Sequence, residues 1–360
     1  VTATVDAATD LLHSELLAEI RAHASALDRG DGTARRSFPG LGAVGLLGLG
    51  APGNSDGCLP QMAEAISVIS ISVISGECMS TGFSVWASRM AVEYLLTAAT
   101  EYSLAVVGPL LAGAALGISG MAAAFKEAAG CADLELTARP VTGGYQLSGS
   151  IRWASNLYQD SVLVTAARTE RGEELIVALP LATPGVAVGD HFELLAMAST
   201  ASSQLELQDV YVASEQVLST DCGGFLDAVR PTFLVLQSGM CIGLARTALA
   251  QSRIALAGVN SVYAPDFDLI AERLALAEST LSGAAASVGT QRPAGRRELL
   301  SLRLSSAKIA CASADREIRV AGGKGYASRT PTNRRYREAA FLPVQSPSEA
   351  QLRWELDRCR

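Results

Sequence analysis

Few residues of this 360-residue chain stand at spacings that carry chemistry by themselves. Its 3 histidines, His13, His23 and His191, have no metal-ligand spacing, so neither a zinc nor a di-iron site is expected. The 7 cysteines form no CxxC pair. Their odd number and mostly apolar settings point to buried thiols in a reducing, cytoplasmic compartment. The run LGAVGLLGLGAPGNSDG, Leu41 to Gly57, has the glycines of a phosphate cradle but lacks its Lys-Ser/Thr, and no βαβ unit surrounds it. Near the other end, Ser346-Pro347-Ser348-Glu349 reads as the cap, proline and acid of a helix opening.

The most patterned stretch is Gly143-Gly144-Tyr145-Gln146-Leu147-Ser148-Gly149-Ser150-Ile151-Arg152-Trp153-Ala154-Ser155-Asn156. Tyr145, Leu147, Ile151 and Trp153 alternate with Gln146, Ser148, Ser150 and Arg152, which puts the two sets on opposite faces of a strand. Gly143-Gly144 offers the positive φ values of a tight turn. Leu134 to Ala138 alternates as well, so a hairpin is expected. Taken alone it is an ordinary half-buried hairpin, and its end at Trp153, Ser155 and Asn156 gains meaning only from its surroundings.

Those surroundings are helical on both sides. Leu11, Leu12, Leu16, Leu17 and Ile20 recur at helical spacing with Asp10 as a candidate N-cap, and His13 and His23 fall on a wet face or helix end. Asp6, Asp10 and Glu15 stand where a secretory signal would need an apolar run. Gln61 to Thr100 reads as two helices. Within it, Ile66 to Ile74 has the β-branched content of a strand, yet Ile66, Ile69, Val73 and Ile74 also fit a helical face. Ser103 to Phe125 is uncharged and about long enough to cross a bilayer. Gly108-Pro109 interrupts it, so a buried helix, a loop and a further segment fit better. From Leu134 to Leu218 the chain is strand-like, with apolar runs at Ser161 to Ala167 and Leu175 to Leu179 and alternation from Ser203 to Val212. Asp209 is read there as a turn-capping residue. Arg230-Pro231 opens a long helix through Ala257, followed by helices over Leu269 to Val288 and Arg297 to Val320. The expected fold is α+β: an N-terminal helical domain (1–130), a central β domain (131–220) and a C-terminal four-helix bundle (221–360). A net charge of −7 argues against a nucleic-acid partner. No membrane partner is expected either.

In this order the segments resemble the acyl-CoA dehydrogenase superfamily. Its β-domain strand ends in Trp-x-Thr/Ser-Asn/Gly, matched by Trp153, Ser155 and Asn156. The resemblance implies that Trp153 lies against a flavin ring, that Ser155 bonds near flavin N5 and that Asn156 belongs to the same cofactor-binding end. It also implies that Met79 to Trp86 runs beneath the substrate pocket and that Arg230, in Arg-Pro, stands close to the active site. Ala321-Gly322-Gly323-Lys324-Gly325-Tyr326 resembles the family's Gly-Gly-x-Gly-Tyr/Phe turn, which puts Gly322, Gly323 and Gly325 against the flavin's adenosine half, usually from a neighbouring subunit. Pro331, Arg334 and Arg337-Glu338 continue the family spacing. FAD or FMN and a homodimer or homotetramer are what the resemblance implies.

Three departures shape the function expected. Counting from Arg337-Glu338, the family's catalytic Glu falls on Ser346, whose hydroxyl is far too weak a base to take an α-proton. Glu349, three residues on, is about one helical turn away and is the candidate relocated base; the alternative is its role as a helix-start acid. The family's Thr-Glu-x-x-x-Gly-Ser-Asp segment is replaced by Met121 to Gly130, without its hydroxyls, and the Arg that holds the flavin pyrophosphate falls near Gly258. An ordinary fatty-acyl-CoA dehydrogenase is therefore not expected. The leading expectation is a divergent flavin-dependent oxidoreductase acting on a small molecule or a carrier-bound acyl group. One version is a reduced-flavin monooxygenase served by a flavin reductase. The rival is a flavin-free homologue, acting as a binding or structural subunit or in non-redox chemistry.

Overall fold

The computed structural model describes residues 2–55 and 57–359. The chain opens with α1 (Thr2–Leu12), α2 (Ser14–Asp28), α3 (Phe38–Ala43), α4 (Pro60–Glu77), α5 (Met79–Ala98) and α6 (Glu101–Leu111). The break between α1 and α2 falls at His13, whose φ is 26° and whose Nδ1 accepts from the Leu16 N–H at 3.4 Å. The expected single helix capped by Asp10 is therefore two helices, with an imidazole as the cap. The ambiguous Ile66–Ile74 run is helical, inside α4. Packing decides this: a Cβ on Gly243 would run into the Ser72 carbonyl, and one on Gly76 would meet Thr247 Oγ1. Two helices whose backbones approach this closely leave no room for a pleated strand.

The uncharged Ser103–Phe125 stretch is broken up, but not at Gly108-Pro109, which lies inside α6. It supplies the rest of α6, a turn at Gly113 with φ 70°, the strand β1 (Gly117–Gly120) and the start of α7 (Ala122–Ala128). The sheet continues with β2 (Thr137–Val141), β3 (Gly144–Ala154), β4 (Val162–Thr169), β5 (Glu174–Pro180), β6 (Val186–Val188), β7 (Ser203–Ala213) and β8 (Val217–Ser219). Strand order is β6-β7-β3-β2-β4-β5-β8, with β1 parallel to the first half of β4. The hairpin forms, but its first strand is Thr137–Val141 instead of Leu134–Ala138, paired Thr137 to Ser148 and Val141 to Gly144. Only Gly143 takes a positive φ, 81°, because Gly144 already lies in β3. Asp209 is not a turn cap either. It sits inside β7 at φ 49°, where the β3–β7 register slips, and its N–H donates to Ser148 Oγ at 3.1 Å. The apolar runs of β4 and β5 are buried on both faces. Val162, Val164, Ala166, Ile176 and Ala178 join the helical core, while Leu163, Leu175, Val177 and Leu179 join the core of the sheet.

The back of the molecule is α8 (Cys222–Ile254), α9 (Ala264–Ser287), α10 (Arg296–Tyr326), α11 (Pro331–Phe341) and α12 (Glu349–Arg358). By length and composition α8 could cross a bilayer, but 83% of its most apolar window is buried against the rest of the fold. It begins at Cys222, with Asp221 Oδ1 accepting from the Gly224 N–H at 2.9 Å, two turns before the expected start at Arg230-Pro231.

The helical core holds one cation between two carboxylates. Arg89 is fully buried, 2.7 Å from Glu93 Oε2 and 3.3 Å from Glu64 Oε2. Burial, with Glu93's charge adding and Arg89 opposing, pushes Glu64 up to about 8. A carboxyl with a raised folded-state pKa keeps a proton that the unfolded chain has lost. Stability therefore falls as pH rises from the ordinary 4.5 towards 8, then levels. The slope from this group is at most about 1.4 kcal/mol per pH unit. Glu64→Gln is expected to flatten this part of the profile in urea unfolding at pH 5, 6.5 and 8.

Candidate active site at the end of the hairpin strand

Strand β3 delivers its last residues to the surface. Trp153 is 64% exposed, and its indole rests against Phe192 with ring centroids 4.3 Å apart at 45°. Phe192 comes from the loop between β6 and β7 and is anchored by its N–H to the Ser202 carbonyl at 3.0 Å. The sequence pattern did not mark it, because a lone loop aromatic has no periodicity to betray it. The neighbouring Ser155 is half-buried, with Oγ 2.7 Å from Ser202 Oγ. Asn156 faces the other way. It is fully buried at φ 64°, and its amide nitrogen donates to the carbonyls of Ser84 at 2.9 Å and Gly117 at 3.1 Å. Its side chain thus clips the strand end to α5 and β1, and an outward cofactor contact, as the resemblance implies for this position, is not available to that nitrogen.

Arg230 lies inside the third turn of α8 and is 6% exposed. Its guanidinium covers the Phe125 ring at 5.2 Å, with Nη1 3.6 Å from Glu355 Oε2. Glu355 is shared: Arg296 Nη2 donates to it at 2.7 Å and Gln351 Nε2 at 2.9 Å. Burial first, then repulsion from Arg296, lowers the Arg230 pKa, while Glu355 opposes the shift. Helix α12 is tied to α7 by Trp354 Nε1, which donates to the Ala129 carbonyl at 2.9 Å. The Met121–Gly130 segment is thus mostly helix, and Phe125 turns into the core. There it starts an aromatic ladder through Phe233, Trp86, Phe83 and Phe341, with centroid steps of 4.5, 5.2, 5.6 and 4.9 Å.

At Ser346, on which the count for the family's Glu falls, the carbonyl accepts from Gln237 Nε2 at 2.8 Å and Oγ is buried without a partner among the described residues. Gln237 in turn belongs to a network centred on a guanidinium. Arg303, fully buried, donates to Gln237 Oε1 at 3.0 Å, to the Leu342 carbonyl at 2.8 Å and to Gln345 Oε1 at 3.3 Å. Glu349 is the first residue of α12, with Ser348 as the N-cap, so the cap is not Ser346. Its side chain is 34% exposed and accepts from Arg353 Nε at 2.9 Å. An exposed i,i+4 pair is worth about 0.3–0.5 kcal/mol. Glu349→Gln is accordingly expected to leave turnover unchanged and to shift the unfolding midpoint only slightly; a large loss of turnover would restore it as a base.

The glycine turn sits near the exposed C-terminal end of α10. Gly322 breaks the helix at φ 59°, ψ −146°, and Tyr326 is 80% exposed. A Cβ on Gly322 or Gly323 would meet nothing within 4 Å, whereas one on Gly325 would stand 2.7 Å from Ala321 Cβ. Gly325 is therefore glycine for packing, and the first two leave their backbone open. Among the described residues, no hydrogen bond, ion pair or aromatic contact joins Trp153 or Ser155 to Arg230, Glu349 or Gly322–Gly325.

No family model matches the chain. Human mitochondrial short-chain specific acyl-CoA dehydrogenase is 26% identical over 330 residues, covering 86% of this chain and 79% of that protein. Among solved structures, butyryl-CoA dehydrogenase from Megasphaera elsdenii superposes with a TM-score of 0.86 at 17% identity, over 99% of this chain and 98% of its own. KijD3 in complex with FMN and a dTDP-amino-keto-sugar gives 0.79 at 20% identity, over 98% and 93%. These likenesses run through the front helices, the sheet and the back helices in order: the chain has the acyl-CoA dehydrogenase fold and is similar in sequence to acyl-CoA dehydrogenases.

Proposed function

We propose that the protein is a flavin-dependent oxidoreductase that dispenses with a carboxylate base and works as a monooxygenase on a small molecule, with reduced flavin supplied by a reductase. The observation that carries this reading is the buried hydroxyl of Ser346. Where a dehydrogenase of this family needs a carboxylate, the count falls on a buried hydroxyl without a partner among the described residues, whose own carbonyl is tied through Gln237 to Arg303. The candidate substitute, Glu349, is held on the outside by Arg353. Without a base, α-proton removal from a thioester has no acceptor.

The residues present fit a flavin at its ring end. An exposed indole backed by Phe192 offers a flat apolar face, and the half-buried Ser155 hydroxyl stands at its edge. The open backbone of Gly322 and Gly323 suits the adenosine end. The dinucleotide end is less well furnished, since α7 brings no hydroxyl and Gly258 no guanidinium. Bound there, a flavin would supply the electron-transfer chemistry. Trp153 would shield one face of the ring from water, and Ser155 would fix its edge. KijD3 holds FMN with a sugar nucleotide on this same fold, so the scaffold accepts a flavin without an acyl-CoA. The exposed Ile254, Val259, Val262, Leu269 and Leu276 favour a homo-oligomer built through α8 and α9.

Titration with FMN and FAD in both redox states tests the reading. Tight binding of at least one form is expected, and so is failure of anaerobic acyl-CoA thioesters to bleach the bound flavin. Bleaching would make the protein a dehydrogenase. No binding of any form would leave the flavin-free subunit.

A further inference from the structure

The hydroxyls behind Ser155 form a one-way chain. Thr200 Oγ1 has one proton, and the Met197 carbonyl takes it at 2.9 Å. Thr200 Oγ1 also lies 2.8 Å from Ser202 Oγ, and with its own proton spent it accepts from Ser202. Ser202 has then spent its proton too, so across the 2.7 Å contact Ser155 is the donor. The proton of Ser155 points inward, and its outward side carries lone pairs only.

The anchor of this chain is held firmly. Thr200 is 1% exposed and Met197 3%, so water does not replace a lost partner. Met197 and Ala201 take left-handed φ values of 63° and 46°, which set the turn. The Met197 N–H donates to Asp28 Oδ1 at 3.2 Å, and Arg337 Nη1 holds that carboxylate at 3.1 Å and the Leu195 carbonyl at 2.9 Å. Turning Ser155 outward as a donor would require all three hydroxyls to rotate and would leave the Met197 carbonyl with only the longer bond from the Thr200 N–H, at 3.2 Å.

We infer that the Thr200–Ser202–Ser155 relay makes this site select reduced flavin over oxidised flavin. The inference rests on the flavin reading above and deepens it. Position N5 of a flavin is a hydrogen-bond acceptor when oxidised and an N–H donor when reduced. An outward lone pair on Ser155 matches the second state and opposes the first. Thr200 and Ser202 touch no ligand; they are positioning residues acting through Ser155. Such a site binds flavin after a reductase has loaded it with electrons and releases it once it is spent.

Anaerobic equilibrium titration of the full chain with oxidised and with reduced FMN, or FAD if that form binds, measures the ratio of dissociation constants without any turnover. About tenfold tighter binding of the reduced form is expected for one buried hydrogen bond at stake. For a two-electron couple this raises the bound flavin's midpoint potential by about 30 mV. Ser202→Ala frees the Ser155 proton, and Thr200→Val, of nearly equal shape, unanchors the relay; each is expected to lower the ratio at least fivefold. A structural role alone would move the melting temperature but not this ratio. A wild-type ratio near one, or a ratio that neither variant changes, overturns the inference while the flavin reading stands. No binding of either form overturns both.

Discussion

Trp153→Ala is expected to weaken reduced-flavin binding by about ten- to hundredfold, the equivalent of roughly 1–3 kcal/mol of lost stacking. The same change should leave stability within about 0.5 kcal/mol, as for surface substitutions generally. The two effects separate because the indole is 64% exposed and its aromatic contact is with Phe192. Its large apolar face does little for the fold and is available to a ligand. Trp153→Phe keeps a flat ring of smaller area and should recover part of the affinity. Phe192→Ala should cost less than Trp153→Ala, because it removes the support and not the contact. Fluorescence titration reads all three, with Trp153 itself as the reporter in the wild type. Unchanged affinity in Trp153→Ala would remove this strand end from the flavin site.

The strand that carries Trp153 was legible because period two survives in the residue types. Its irregularity was not. The slip opposite Asp209 comes from an extra residue in β7, and Asp209 fits that backbone as readily as it fits a turn. Pro231 misled in another way. A proline near an expected helix start reads as a first-turn residue, but α8 has begun at Cys222 and carries Pro231 within it. The β-branched run of α4 illustrates tertiary override, since Gly76 and Gly243 let two backbones meet and burial outweighs strand propensity. Of the site, Trp153 on β3 and Arg230 on α8 could be named in advance, and so could Ser155 and Ser346, which lie outside regular elements but at fixed spacing from legible motifs. Phe192, Thr200 and Ser202 come from loop and turn, where neither spacing nor composition distinguishes them. Arg303 was hidden for a further reason. On a helix with Arg296, Arg297 and Lys308 it reads as one more solvated charge, and only the fold shows it fully buried.

That burial makes Arg303→Met the most destabilising change expected near the site, at about 3–5 kcal/mol. Two effects compete. Among the described residues the guanidinium has no carboxylate in ion-pair range, and burial pushes the neighbouring Cys241 thiol up, so it stays neutral and offers no counter-charge. Removing an unpaired buried cation is by itself favourable. Against this, methionine leaves Gln237 Oε1, the Leu342 carbonyl and Gln345 Oε1 without their donor in a water-free core. Each abandoned group costs about 1–3 kcal/mol, and three of them outweigh the gain. Arg303→Lys separates the effects: it keeps the charge but cannot reach three acceptors with one ammonium, so it should lose most of the same stability. Urea unfolding reads both variants, and a more stable Arg303→Met would show that desolvation dominates. The loss should also be local. The Arg303 fork pins residues 342–345, just ahead of Ser346, so hydrogen exchange there should quicken before the rest of α10 and α11 responds.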